Sequence, residues 1–160
     1  MRVIAVCQWI CHSPEETMAL SERIAGYLQS GDVLTLSGDL GAGKTVFTKG
    51  LAKGLGISER VSSPTFTIVK EYMGGRVPLY HMDVYRINDD EDIGLEDYFD
   101  REGVTVIEWA ENIQSWLPKD YLSIAIKRID DHNRKLTLMA HGRRAESLYR
   151  EISENECTCD

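Results

Sequence analysis

The octet Gly38-Asp39-Leu40-Gly41-Ala42-Gly43-Lys44-Thr45 sets three glycines, a lysine and a hydroxyl at the spacing G-x-x-x-x-G-K-[ST]. The glycines permit backbone angles closed to other residues and let amide N–H groups come close to an anion. Lys44 supplies a charge that reaches β- and γ-phosphates, and the Thr45 hydroxyl is a hard oxygen ligand suited to Mg²⁺. The chemistry these types share is the binding of a nucleotide's phosphates. At ordinary glycine usage of roughly 7%, a chain this long matches the pattern by chance about once in two hundred. A bare glycine-rich turn is therefore set aside.

Such a site needs an acid at the end of a neighbouring strand to hold the metal or its water. Glu108 follows the more buried of the two runs, 104–107, and is the better match, whereas Asp83, after 77–82, is suited to positioning the attacking water. Either is otherwise a capped or paired carboxylate at a strand end. The hydroxyl-rich Ser62-Ser63-Pro64-Thr65 is a switch segment that meets a γ-phosphate, or an ordinary turn into a strand. Trp109, beside Glu108, belongs to the core or to the site. Arg86 stabilises transferring charge or pairs with the acids after it.

The elements that must position these residues alternate between strand and helix. An apolar, β-prone stretch over 3–11 predicts a strand, and Ser13-Pro14-Glu15-Glu16 opens a helix with Ser13 as N-cap and Glu16 closing a capping box. Met18, Leu20, Ile24, Ala25 and Leu28 form its apolar face, and Gly31 is expected to end it. A short buried strand over 32–37 leads into the glycine-rich turn, and a helix follows from about Lys44 to Leu55. After a polar loop over 57–65, strands at 67–72 and 77–85 flank Met73-Gly74-Gly75-Arg76 as a hairpin. A short helix over 95–99 precedes a fully buried strand at 104–109, and a helical segment at 110–117 stops at Pro118. Strands at 121–129 and 135–140 make a second hairpin, and 143–154 a polar terminal helix. With no repeat or linker, residues 1–160 read as a single α/β domain, with about 143–160 as its polar C-terminal helix and tail.

Composition narrows the function. Of 160 residues, 42% are hydrophobic and 28% charged, which excludes disordered and fibrous classes. The net charge of −8 argues against a bare nucleic-acid binder. Most of that charge lies between Asn88 and Glu102, where eight acids face one base. Cys7, Cys11, Cys157 and Cys159 lack the paired knuckles of a structural zinc site. Cys7 and Cys11 are expected as small buried groups on one strand face, and the other two on a frayed tail. The apolar run at the N-terminus is too short for a signal segment or a membrane span, so reduced thiols and a cytoplasmic location are expected.

Guanine recognition by N-K-x-D is absent, and Asp100-Arg101-Glu102-Gly103 precedes the buried strand instead of following it. A small-molecule kinase would carry an arginine-rich lid where this chain is acidic. An ATPase leads, with a small-molecule phosphotransferase and a nucleotide-dependent docking module as alternatives.

Taken in order, the octet, Ser63-Pro64-Thr65-Phe66, His81-Met82-Asp83-Val84-Tyr85-Arg86, Gly94-Leu95-Glu96-Asp97-Tyr98-Phe99 and Ile107-Glu108-Trp109 resemble the TsaE (YjeE) family over about Ser13 to Ala140. These are small ATPases of bacterial tRNA threonylcarbamoyladenosine synthesis. The resemblance implies a three-layer P-loop NTPase fold with a mostly parallel central sheet and antiparallel hairpin additions. It implies ATP and Mg²⁺ as ligands, with Thr45 and Glu108 at the metal and with Lys44, Thr65, Asp83 and Glu108 as the catalytic set. Nucleotide contacts are implied at Ser13, at Asp39, Leu40, Gly41, Ala42, Gly43, Lys44, Thr45 and Val46, and at Trp109 and Arg134. The implied partners are TsaB and TsaD, with TsaD performing the transfer and tRNA met only through the complex. The acidic stretch over 89–102 either docks on a partner's basic patch or is a solvated loop and helix.

Overall fold

The computed structural model describes residues 7–39, 41–64, 68–88 and 94–157. Its strands are β1 (Cys7–Cys11), β2 (Val33–Ser37), β3 (Val69–Tyr72), β4 (Leu79–Asp83), β5 (Val104–Glu108), β6 (Tyr121–Arg128) and β7 (Arg134–His141), in the spatial order β1-β7-β6-β2-β5-β4-β3. The central strands β6, β2, β5 and β4 are parallel, and the pairs β3–β4, β6–β7 and β1–β7 are antiparallel. This is the expected mostly parallel α/β sheet with hairpin additions. β5 is buried along its whole length, in keeping with its largely apolar, β-branched run Val104-Thr105-Val106-Ile107, while β6 alternates half-buried and buried positions before its two exposed final residues.

The helices are α1 (Pro14–Ala25), α2 (Lys44–Gly54), α3 (Glu96–Phe99) and α4 (Arg143–Glu156). α1, α2 and α4 cover one face of the sheet, where Ile24, Phe47, Leu51 and Leu148 pack with Leu34, Leu36, Val106 and Ile124. A 3₁₀ segment at Ala110–Trp116 and the turn before α3 cover the other, with Ile113 and Leu95 against Met82 and Ile107.

Several boundaries move for local reasons. α1 opens at the expected N-cap, the Glu16 N–H donating to Ser13 Oγ at 3.1 Å, but Glu16 Oε2 accepts from the N–H of His12, one residue before the cap, at 3.1 Å and not from that of Ser13. It stops at Ala25, however, short of Gly31. The Gly26 N–H turns back to the carbonyls of Arg23 and Ile24, and Arg76 Nη2 donates to the carbonyls of Ala25 and Leu28 at 3.0 Å each. β4 leaves its ladder after Asp83, because the Tyr85 N–H donates to Asp83 Oδ1 and Asn112 Nδ2 holds the carbonyls of Val84 and Tyr85. The segment after Trp109 is 3₁₀ and kinked at Ile113, where φ is −127°.

At Cys157 the structure corrects the expectation of a frayed tail and reduced thiols. Cys7 and Cys157 form a disulfide, their Cα atoms 5.9 Å apart, within the range the bridge requires. Glu156, the last residue of α4, binds Arg23 Nε and Tyr27 Oη at 2.8 Å each, and its carbonyl accepts from Trp9 Nε1 at 2.9 Å. The Glu156 carboxylate raises the Tyr27 hydroxyl pKa, chiefly by accepting its proton in a hydrogen bond. Cys11 is buried and unbridged, and its burial raises the thiol pKa. Cys159 lies outside the described residues.

α2 is held to α1 at very short range. A methyl at Gly50 would collide with Ser21 Oγ and the Met18 carbonyl, and one at Gly54 would meet Ala25 Cβ at 2.6 Å. Helix propensity alone favours alanine over glycine by about 1 kcal/mol. Overpacking against fixed backbone costs about 1–3 kcal/mol and outweighs it. Gly50→Ala should therefore lower the urea midpoint despite the better helix former, and a raised midpoint would show that the two helices are not in close contact.

Candidate functional site

β2 delivers the chain to the glycine-rich turn, and α2 starts at its end. Gly43, the N-cap of α2, has φ 112°, a left-handed backbone that glycine adopts without strain, and no side chain caps the helix. A Cβ there would meet nothing within 4 Å, so the turn is open on that side. The first N–H groups of α2 and its positive dipole end are thus available to an anion.

In front of the turn is a cavity of about 980 Å³ at the carboxyl ends of β4 and β5, where ligands bind in open α/β sheets. Asp39, Gly41, Gly43, Lys44, Thr45 and Val46 line it from the turn and α2. Asp83 and Arg86 line it from the end of β4, and Glu108 and Trp109 from the end of β5. Asp83 and Glu108 are register partners in the parallel β4–β5 ladder, which brings both acids to the same edge of the cavity.

Lys44 and Glu108 are both buried, and Lys44 Nζ lies 3.7 Å from Glu108 Oε1. The other carboxylate oxygen, Oε2, is 2.6 Å from His81 Nε2. Lys44 also sits over the Trp109 ring, 4.8 Å from its centroid, in cation–π contact. Trp109 has φ 65°, an uncommon backbone for a bulky residue, and packs edge-on against Tyr85 at 4.8 Å. The lysine therefore rests between a carboxylate and an aromatic face, at a spacing longer than a direct hydrogen bond.

Asp83 is half-buried and accepts from the Tyr85 N–H at 3.0 Å. Arg86 is exposed at the cavity edge and forms no ion pair with the described residues. Among the described residues, three expected contact residues are absent from the lining. Ser13 serves as the N-cap of α1, and Ala42 is buried beneath the turn. Arg134 braces the turn from behind: its Nε donates to the Ala42 carbonyl at 3.0 Å and its Nη1 to the Asp130 carbonyl at 2.8 Å. The hairpin that carries Arg134 is tightened by Asp130. Hydrogen bonds from the Asn133 side chain and from the N–H groups of His132 and Asn133 lower its carboxyl pKa to about 2. Leu40 and Thr65 lie outside the described residues.

Sequence reasoning singled out neither His81 nor Tyr85 as site residues. The signal for His81 was the period-two spacing with Asp83 on one strand, which puts both on the face of Glu108.

The donor types fit a nucleotide with a divalent cation. Mg²⁺ is held through one or two carboxylates together with phosphates and water, and Glu108, Asp83 and the Thr45 hydroxyl line the same cavity as the phosphate-binding turn. Fold and site together define a P-loop nucleotide-binding protein. The family model "Threonylcarbamoyl adenosine biosynthesis protein TsaE" matches residues 11–136. The tRNA threonylcarbamoyladenosine biosynthesis protein TsaE of Bacillus subtilis is 53% identical over 150 residues, covering 93% of this chain and 95% of its own. Its counterpart in Treponema pallidum is 43% identical over 132 residues, covering 81% and 97%. The crystal structure of YdiB from Bacillus subtilis superposes with a TM-score of 0.86 at 47% identity, covering 98% of this chain and 99% of that one. The chain belongs to the TsaE family.

A phosphate group entering the turn should draw Lys44 off the Trp109 ring. With Trp9 and Trp116 replaced by Phe, a nucleoside triphosphate should shift Trp109 emission in a saturable way, and Lys44→Ala should abolish the shift. An unchanged response in Lys44→Ala would remove the lysine from the phosphate site.

Proposed function

We propose that the protein binds ATP with Mg²⁺ and hydrolyses it as an accessory ATPase of cytoplasmic tRNA threonylcarbamoyladenosine synthesis, resetting a TsaB–TsaD pair between turnovers. The observation that carries this reading is the convergence of Lys44, Thr45, Asp83 and Glu108 on one cavity at the phosphate-binding turn. Membership of the TsaE family supports the pathway.

In this reading the amides of residues 39–45 and the Lys44 ammonium hold the β- and γ-phosphates, releasing the lysine from Glu108 as the phosphates take over its charge. Thr45 and Glu108 would hold the cation, which when bound would neutralise the charge developing on the phosphates. Asp83 orients the attacking water, and Thr65 serves near the γ-phosphate. Asp39, Leu40, Gly41, Ala42, Gly43 and Val46 contact the nucleotide from the turn, Trp109 stands beside Lys44 at its phosphate end, and Ser13 and Arg134 serve its base side. Among the described residues no helix is long and apolar enough to cross a membrane. With a net charge of −8, the protein is poorly suited to gripping tRNA alone and meets it through the complex.

Phosphoryl-transfer sites lacking a cationic finger lose about 10³–10⁵ in rate. Among the described residues Arg86 is the one arginine lining the cavity, and it is exposed. Hydrolysis by the isolated protein should accordingly be slow and should accelerate when the TsaB–TsaD pair covers the site. Phosphate release with and without the pair, measured beside modified tRNA per complex, tests this. Full-speed hydrolysis that ignores the pair would contradict the accessory role, and transfer of the γ-phosphate to a metabolite would instead favour a phosphotransferase.

Two substitutions separate the acids. Glu108→Gln is nearly isosteric yet uncharged, so ATP binding should persist while the Mg²⁺ dependence of hydrolysis weakens. An unchanged Mg²⁺ titration would move the metal role to Asp83. Asp83→Ala should still bind the pair but fail to sustain repeated rounds of tRNA modification.

A further inference from the structure

His81 is fully enclosed on β4, at 0% exposure, and does not line the cavity. It is the register partner of Val106, as Asp83 is of Glu108, so His81, Asp83 and Glu108 all point to the face that carries α2. From two positions down the neighbouring strand its Nε2 reaches Glu108 Oε2 at 2.6 Å. Its other nitrogen, Nδ1, is buried with no hydrogen-bond partner among the described residues. Leaving a buried polar atom unsatisfied costs about 1–3 kcal/mol, which an apolar residue in the same space would avoid. Packing therefore does not account for an imidazole here, and the contact it makes with Glu108 does.

We propose that His81 is a positioning residue for the site: its imidazole N–H takes one carboxylate oxygen of Glu108 and so fixes the other, Oε1, toward the cavity. This rests on the assignment of Glu108 to the cation of a bound nucleotide. Without the clamp the carboxylate is free to rotate and to close both oxygens on Lys44, now at 3.7 Å from one of them. With it, Lys44 stays loosely held and available to phosphate, and Glu108 meets an arriving cation in one orientation. Groups that orient a metal-binding side chain in this way typically contribute about 10–100-fold in metal affinity or activity.

The test uses the full chain, with His81→Leu, His81→Gln, Glu108→Gln and the double variant His81→Leu/Glu108→Gln. Binding of the non-hydrolysable analogue adenylyl-imidodiphosphate is titrated with Mg²⁺ and in excess chelator. His81→Leu should raise the Mg²⁺ concentration for half-saturation by about 10–100-fold while lowering the metal-free nucleotide affinity by a much smaller factor, the share due to Lys44 alone. His81→Gln, whose amide N–H can replace the imidazole donor, should recover most of the loss, and His81→Leu should have no further effect once Glu108 is Gln. A wild-type Mg²⁺ titration in His81→Leu would overturn the proposal, as would additive effects in the double variant or an equal loss without metal. A second measurement needs no nucleotide and no substitution at His81. The imidazole ¹⁵N and N–H resonances of His81 should move in Glu108→Gln and stay in place in Asp83→Asn, and insensitivity to Glu108→Gln would contradict the contact itself. Wild-type nucleotide binding that ignores Mg²⁺ would instead contradict the functional reading, and the resonances alone would then decide whether His81 holds Glu108.

Discussion

Lys44 and Glu108 are buried together beneath the phosphate-binding turn, at 8% and 5% exposure. Removing an ion from water costs several kcal/mol unless partners replace the water, and each member of this pair is given such partners. Glu108 has the lysine on one oxygen and His81 on the other, and Lys44 has the carboxylate beside it and the Trp109 ring beneath it. At 3.7 Å the ion pair is not closed. A phosphate arriving at the turn offers the lysine a stronger counter-ion, and the carboxylate it leaves is suited to a cation. The resting protein thus holds its charges in an arrangement that favours their exchange for nucleotide and metal.

The surrounding fold can be read as what keeps that pair in register. β2 carries the turn, β5 carries Glu108, and their parallel pairing sets Leu36 beside Glu108. β4 adds Asp83 and His81 on the same face. α2 must lie close enough to bring Lys44 over the strand ends, which the glycines facing α1 permit. Behind the turn, Arg134 ties the Ala42 carbonyl to the β6–β7 hairpin, whose own turn is organised by Asp130. Farther off, the Cys7–Cys157 bridge and the three contacts of Glu156 fasten the end of α4 to β1 and α1. They stabilise the sheet edge and do not reach the cavity.

The parts legible in the sequence were those whose cause is local. The octet states its own backbone requirements, and the largely apolar, β-branched run before Glu108 announces a strand buried on both faces. The Ser13–Glu16 cap is likewise written in four adjacent residues. What could not be read depended on residues far apart in the chain. α1 stops early in part because Arg76, some fifty residues on, holds the carbonyls of its final turn. The disulfide joins residues 150 apart, and neither cysteine sits in a spacing that marks its partner. His81 was legible as part of a pattern, but its role depends on the β4–β5 register and on the Nδ1 left without a partner. Arg134 was legible through the resemblance to the TsaE family, but its hold on the turn through the Ala42 carbonyl depends on the β6–β7 hairpin being brought behind that turn.

The most direct test of this account is a crystal structure of the full chain with adenylyl-imidodiphosphate and Mg²⁺. The account predicts β- and γ-phosphates in the turn, Lys44 moved from Glu108 and Trp109 onto their oxygens, and Thr45 and Glu108 directed at the metal with His81 still on Glu108 Oε2. A nucleotide bound elsewhere, or Lys44 still paired with Glu108 while the turn is filled, would contradict it.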